Sequence, residues 1–267
     1  MMNILCPTDF SEHSLYALHY AIEKANRLDA RIHLLTAYSV PRSTGALRSI
    51  DKVIQDSVLE ELKNLAKNIS PKITTGFEPS IHIMEGNSGR VICQFADEHN
   101  MDLIIMGTQG KGNLSNILLG SVAKKVVEQC RIPVIAIPSQ INKDSNPSKV
   151  LLALDEKEII HKESIAFLKE YAKKDAVVVD VYHLNQIHGV SDLNVGVLET
   201  LKEITGQVFE EFGTEPVRSI AAFTTKHKTG MLIMVRRPHS FLSRLFSDSN
   251  TVEELASTKT PLMVLPD

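Results

Sequence analysis

The sequence predicts an α/β protein built as two tandem, doubly wound parallel sheets of five strands each. Three observations carry that expectation. Short apolar runs alternate with amphipathic segments of helical period, the same order of elements occurs twice, and 267 residues are enough for two domains of roughly 100 to 150 residues, each with its own core.

The elements can be justified in order. "NILCPTD" and "IHLLTAYSV" are apolar strands flanking "SEHSLYALHYAIEKANRLDA", whose apolar residues recur at three and four and whose Ser11 can cap the first turn. There follow the helix "IDKVIQDSVLEELKNLAKNI", the strand "SIHIME", the helix "SGRVICQFADEHN", the strand "DLIIMG", a helix from Ser121 and the strand "PVIAIP". Strands separated by helices of this length imply right-handed crossovers and a parallel sheet covered on both faces. The second half offers "KVLLALD", "AVVVDVYHL", "QVFEEF", "MLIMV" and "PLMVLP" as strands, with a shortened second helix near "SDLNVGVLETLKEI".

The repeat is explicit. At a shift of 128 positions "LIIMGTQGKGNLSNILLG" lies over "MLIMVRRPHSFLSRLFSD", and without a gap Arg90 falls on Arg218, Phe95 on Phe223 and Pro133 on Pro261. Near the start of each half the shift is 146, placing Leu5 over Leu151 and Asp9 over Asp155. The second half is therefore 18 residues shorter between its first and third strands. The polar stretch "SQINKDSNPS", residues 139–148, reads as a linker between domains 1–138 and 149–267.

Composition narrows the function classes. Hydrophobic residues make up 43% and charged residues 23%, as in an ordinary globular protein, and a net charge of -3 gives no reason to expect nucleic acid. No apolar run reaches the roughly 18 residues of a membrane span, and the N-terminus lacks the basic and apolar regions of a signal peptide. A cytoplasmic location is expected. Cys6, Cys93 and Cys130 are odd in number, widely spaced and set in apolar patterns, so they are expected as buried free thiols, with neither zinc nor a disulfide framework.

In open sheets of this kind ligands bind beyond the carboxyl ends of the strands, where strand order reverses. Asp9, the segment from Ala37 to Ser39, and Gly107 all follow strand ends and should converge on one crevice. Gly107 and Gly110 flank the turn after the fourth strand, where a missing side chain permits positive φ and close approach of the backbone to a ligand. Gly120 and Ser121 open a helix whose first-turn N–H groups and macrodipole suit an anion. A triphosphate would need this much backbone. Ser121 can add a donor or reach a metal ion, Lys111 is a candidate counter-charge, and Lys124 and Lys125 lie a turn further in. The competing reading is that the glycines merely make a flexible loop and a helix cap.

The spacing G-x2-G-x9-G-S, with "ILCPTDFSEHS", "DLIIMGTQGKG" and "GSVAKKVVEQCRIPVIAIP", resembles the ATP-binding branch of the universal stress protein family. The resemblance extends over both halves. It implies a five-stranded α/β fold of strand order 3-2-1-4-5. It also implies that Asp9 contacts the nucleoside, Ala37 meets adenine through its backbone, and Gly107, Gly110, Gly120, Ser121 and Val122 hold ribose and phosphates. ATP is the expected ligand, with a divalent metal, usually Mg²⁺, implied among the phosphates.

The second half departs from that motif. Gly107, Gly110 and Gly120 become Val235, Pro238 and Asp248; Val and Pro restrict the backbone, and a carboxylate repels phosphate. One nucleotide per chain, in the first half, is expected, and the second domain is read as structural or regulatory. Arg236, Arg237 and His239 leave open another anionic ligand there, a contact with the first domain, or a solvated loop.

No catalytic residue is assigned. His13 reads as a helix-surface histidine, the position after the first strand lacks the glycine- and serine-rich loop of adenylating enzymes, and no G-x4-G-K-[S/T] occurs. A nucleotide-dependent stress-response or regulatory switch is the expectation; a slow ATPase, an interaction scaffold without nucleotide and a flavoprotein-type electron carrier are the alternatives. "PVIAIP" and "PLMVLP" are short apolar edge strands. By the resemblance they are expected to pair as an intrachain pseudo-dimer, and a further homodimer of chains is conceivable.

Overall fold

A computed structural model of the chain describes residues 1–39, 47–110, 119–154, 160–185, 191, 193–237, 255 and 257–266. The chain divides into two compact units, the first within Met1–Val134 and the second made mainly of Ile135–Asp267.

The first half runs β1 (Met2–Pro7), α1 (Glu12–Leu28), β2 (Ala30–Tyr38), α2 (Leu47–Ile69), β3 (Ser80–Glu85), α3 (Ser88–Glu98), β4 (Leu103–Gly107), α4 (Ser121–Gln129) and β5 (Val134–Ile137). Its strand order is β3-β2-β1-β4-β5, and β1 pairs in parallel with β2 and β4. This is the expected 3-2-1-4-5 order. Ile4, Leu5, Leu34, Leu35, Leu103 and Ile104 are all wholly buried, because consecutive residues of a strand covered on both faces have nowhere polar to point. α1 starts where Ser11 accepts a hydrogen bond from the Ser14 N–H and stops at Asp29 in the left-handed region, which unwinds the chain into β2.

The second half runs β6 (Asn146–Leu154), α5 (Lys162–Asp175), β7 (Val178–Asn185), α6 (Val195–Leu201), β8 (Thr205–Phe212), α7 (Pro216–Lys226), β9 (Thr229–Val235) and β10 (Leu262–Leu265). Its order, β8-β7-β6-β9-β10, repeats that of the first half. The trimmed element is α6, 7 residues against the 23 of α2. β6 begins inside the stretch whose composition reads as linker. There the Asn146 N–H donates to the Lys228 carbonyl (2.7 Å), and the chain passes so close to Gly230 that a Cβ there would lie 2.7 Å from the Pro147 Cα.

The cysteine expectation needs correction. Cys6 is buried and free, but Cys93 and Cys130 form a disulfide, their Cα atoms 5.0 Å apart. They lie 37 positions apart in sequence, and only the side-by-side packing of α3 and α4 brings them together.

Candidate functional site

The candidate site is built at the carboxyl ends of β1, β2 and β4. β1 ends at Pro7, and the ladder continues one residue further as the Thr8 N–H donates to the Leu35 carbonyl (2.9 Å). The Thr36 hydroxyl donates to the Thr8 carbonyl (3.1 Å), so the ends of β1 and β2 are pinned level. Phe10 then takes a positive φ of 60°, which turns the chain sharply toward the start of α1.

That turn fixes Asp9. Its Oδ1 accepts from the Ser11 hydroxyl (2.6 Å) and the Ser11 N–H (3.1 Å), while the Ser11 hydroxyl oxygen caps α1. One serine therefore starts the helix and holds the half-buried carboxylate. The other oxygen, Oδ2, lies against Gly110: a Cβ built on that glycine would stand 2.8 Å from it.

Gly107, the last residue of β4, faces α1. A Cβ there would lie 2.9 Å from the carbonyl oxygen of His13. Neither Gly107 nor Gly110 adopts a positive φ, so the expectation that they supply left-handed backbone is corrected. They supply space instead, for the first turn of α1 in one case and for the Asp9 carboxylate in the other.

Gly120 returns the chain to the strand end: its N–H donates to the Thr108 carbonyl (2.6 Å). As the cap of α4 it has extended backbone (φ -63°, ψ 167°) and no side chain to occupy the first turn. A helix leaves its first N–H groups without acceptors of its own, so those of Ser121, Val122 and Ala123 define an anion-favouring position beside β4. Ser121 and Val122 are exposed there.

Charge is unevenly spread across the mouth. Tyr38, one residue past Ala37, has its phenol pushed up by burial and by the nearby carboxylates of Asp51 and Glu85. Two carboxylates, Asp51 and Glu85, thus lie near the end of β2, and the positive helix end lies on the β4 side. The α4 lysines are engaged elsewhere: Lys125 Nζ donates to Asn87 Oδ1 (3.0 Å) and its stem covers Gly89, and Lys124 pairs with Glu128 (3.9 Å). Lys111 lies outside the described residues. Among the described residues, no group of three or more His, Cys, Asp or Glu side chains gathers as a metal site.

Asp9, Ala37, Gly107, Gly110, Gly120, Ser121 and Val122 therefore all lie at the strand-end mouth, with Asp9 in contact range of Gly110. Sequence reading missed three supports: the His13 carbonyl against Gly107, the Thr108 carbonyl under Gly120, and Ser11 as the clamp on Asp9. Only the last left a signal, the Asp-x-Ser spacing of a side chain folding back on its own turn.

At the corresponding strand end of the second half, Val235 is buried on β9 (2% exposed). The shift of 146 carries Glu12 to position 158, yet α5 starts only at Lys162. Asp155, Pro238, His239, Asp248 and Ser249 lie outside the described residues.

The family model of the universal stress proteins matches residues 1–138. A universal stress protein of Methanocaldococcus jannaschii is 32% identical over 142 residues, covering 50% of this chain and 80% of its own length. A second from the same archaeon is 30% identical over 151 residues, covering 50% of this chain and 93% of its own. A crystal structure of a universal stress protein from Archaeoglobus fulgidus superposes with a TM-score of 0.74 at 22% identity, over 99% of this chain and 98% of its own.

Proposed function

The chain belongs to the universal stress protein family, and from that premise we propose that its first half binds one adenine nucleotide of the ATP class and acts as a nucleotide-dependent switch in a stress response or other regulation. The observation that carries this reading is the pair of side-chain-free positions at one strand end, Gly110 against the Asp9 carboxylate and Gly120 at the start of α4. A phosphate chain fits there: it needs backbone donors, close approach and no competing side chain. Asp9, clamped by Ser11, accepts hydrogen bonds from ribose hydroxyls. The backbone at Ala37 meets the uncharged base on the β2 side of the mouth. Gly107, Gly110, Gly120, Ser121 and Val122 surround the phosphates, with Lys111 as a counter-charge, and the Ser121 hydroxyl could reach a Mg²⁺ ion that neutralises them. Buried Val235 at the corresponding place in the second half favours a single site per chain.

Freshly purified protein, denatured and analysed by chromatography and mass spectrometry, should release an adenine nucleotide. If it is empty, calorimetric titration with ATP should give one site per chain. An empty protein that ignores ATP supports the scaffold reading, two equivalent sites refute the single-site claim, and steady phosphate release would mark a slow ATPase.

Among the described residues no helix is long and apolar enough to cross a membrane, and a cytoplasmic location is part of the same proposal. So are pairing of the last strands within a chain and association of whole chains, which cross-linking mass spectrometry and sedimentation test.

A further inference from the structure

We infer that Cys93 and Cys130 form a reversible redox site whose closure tightens the segment carrying the nucleotide motif. The affinity effect argued below rests on the proposed function; the redox site itself does not. The disulfide joins the middle of α3 to the residue that caps α4, and the loop it closes runs from residue 93 to residue 130. That loop contains β4 and every glycine of the motif: Gly107, Gly110 and Gly120, together with Ser121. Among the described residues no other covalent link encloses this segment. The Lys125 to Asn87 hydrogen bond (3.0 Å) ties the same two helices one to two turns away from the disulfide. With the disulfide open, α4 is a nine-residue helix, short enough to depend on packing for its stability. With it closed, the helix is anchored at its carboxyl end and its first turn is held at the end of β4.

The three cysteines divide by environment. Cys6 is wholly buried within β1, and burial pushes its thiol well above the usual range, so it is inert. Cys130 is 1% exposed, whereas Cys93 is only half-buried. Cys93 is therefore the point of entry and Cys130 the resolving partner. The oxidant is a small-molecule or protein disulfide. The Cys93 thiolate attacks one of its sulfurs, forming a mixed disulfide and expelling the first thiolate. The Cys130 thiolate then attacks the Cys93 sulfur, closing the intrachain bond and releasing the second thiolate. Two cysteine thiols have lost two protons and two electrons; the incoming disulfide has gained both and left as two thiols.

The test uses the full chain, treated with dithiothreitol or with glutathione disulfide. Thiols counted after denaturation should number three in the reduced form and one, Cys6, in the oxidised form. Amide hydrogen exchange over β4 and α4 should slow on oxidation by roughly tenfold. Cys93→Ser and Cys130→Ser should each remove the difference between the two treatments, and Cys6→Ser should preserve it. ATP should bind the oxidised form about three- to tenfold more tightly, because ordering cost is removed before binding. Three thiols after oxidation, or exchange that does not change, overturns the inference. Equal ATP affinities in the two states overturn the coupling. Slowed exchange with no ATP binding in either state upholds the redox site and overturns the nucleotide reading instead.

Discussion

The carboxylate of Asp9 lies against the α-carbon of Gly110, so close that a Cβ on the glycine would stand 2.8 Å from Oδ2. Residues 101 positions apart are thus a single feature, in which the absence of one side chain makes room for another. The neighbour that would have to move is the end of a side chain, which can yield. Gly110→Ala should therefore change stability by less than about 1 kcal/mol while displacing Asp9, and the ATP dissociation constant should rise by about tenfold, ~1.4 kcal/mol. Calorimetric titration beside urea unfolding measures both. In an Asp9→Ala background the added effect of Gly110→Ala should shrink, as for any pair in contact; full additivity would show that the two residues are not coupled.

Gly107 makes the opposite case. The atom 2.9 Å from its missing Cβ is the His13 carbonyl oxygen, part of the backbone of α1, and it cannot swing aside. Gly107→Ala should force the first turn of α1 away from β4 and cost about 1–3 kcal/mol, in the range of overpacked cores. A fall in the urea midpoint without a change in slope is the expected result, and an unshifted midpoint would disprove the contact.

Ser11 serves two partners at once, the helix N-terminus and Asp9. Ser11→Ala should lose about 1 kcal/mol of stability as a removed cap and should also weaken ATP binding, because Asp9 loses the hydroxyl that holds it at 2.6 Å. Ser11→Thr keeps an oxygen at the same place and should restore most of both. Stability that falls with no change in affinity would confine Ser11 to capping.

Acid should destabilise the first half through a chain of imidazoles. His33 Nε2 lies 3.3 Å from Asn3 Oδ1, and His33 Nδ1 lies 3.3 Å from His82 Nε2. If His33 donates to Asn3, its Nδ1 must accept from His82, an arrangement possible only while His33 is neutral. His82 and His99 rings are 6.0 Å apart, His99 stacks on Phe95, Arg31 is adjacent on β2, and Asp102 is engaged by the Asn3 N–H. Burial first, then His82, Arg31 and His99, lower the His33 pKa from the usual 6.5 to about 4, and burial and His99 lower that of His82. Between those limits the unfolded chain binds more protons than the folded one, so stability falls as pH drops. The contribution of His33 is complete above pH 6.5, is lost progressively toward pH 4 and changes no further below it. Melting temperatures from pH 7.5 to 4 should decline more steeply for the natural chain than for His33→Gln; parallel curves would exclude the cluster.

The sequence by itself determined the order of elements, the repeat and the positions of the motif. These rest on neighbours along the chain: apolar period, a capping serine and glycine spacing are set within a turn or two. It also placed Asp9, Ala37 and Gly107 at strand ends and Gly120 at the start of a helix, because a parallel sheet fixes which end of each strand faces the mouth. What those residues touch was decided only by tertiary structure. Gly107 and Gly110 read as sources of unusual φ and are instead spaces for the His13 carbonyl and the Asp9 carboxylate. Cys93 and Cys130 read as separate thiols and are a disulfide, and His33, His82 and His99 left no pattern at all. The physical reason is common to all of them. Strand register and helix packing bring together residues tens of positions apart, and a side-chain contact that depends on both leaves no trace in local periodicity.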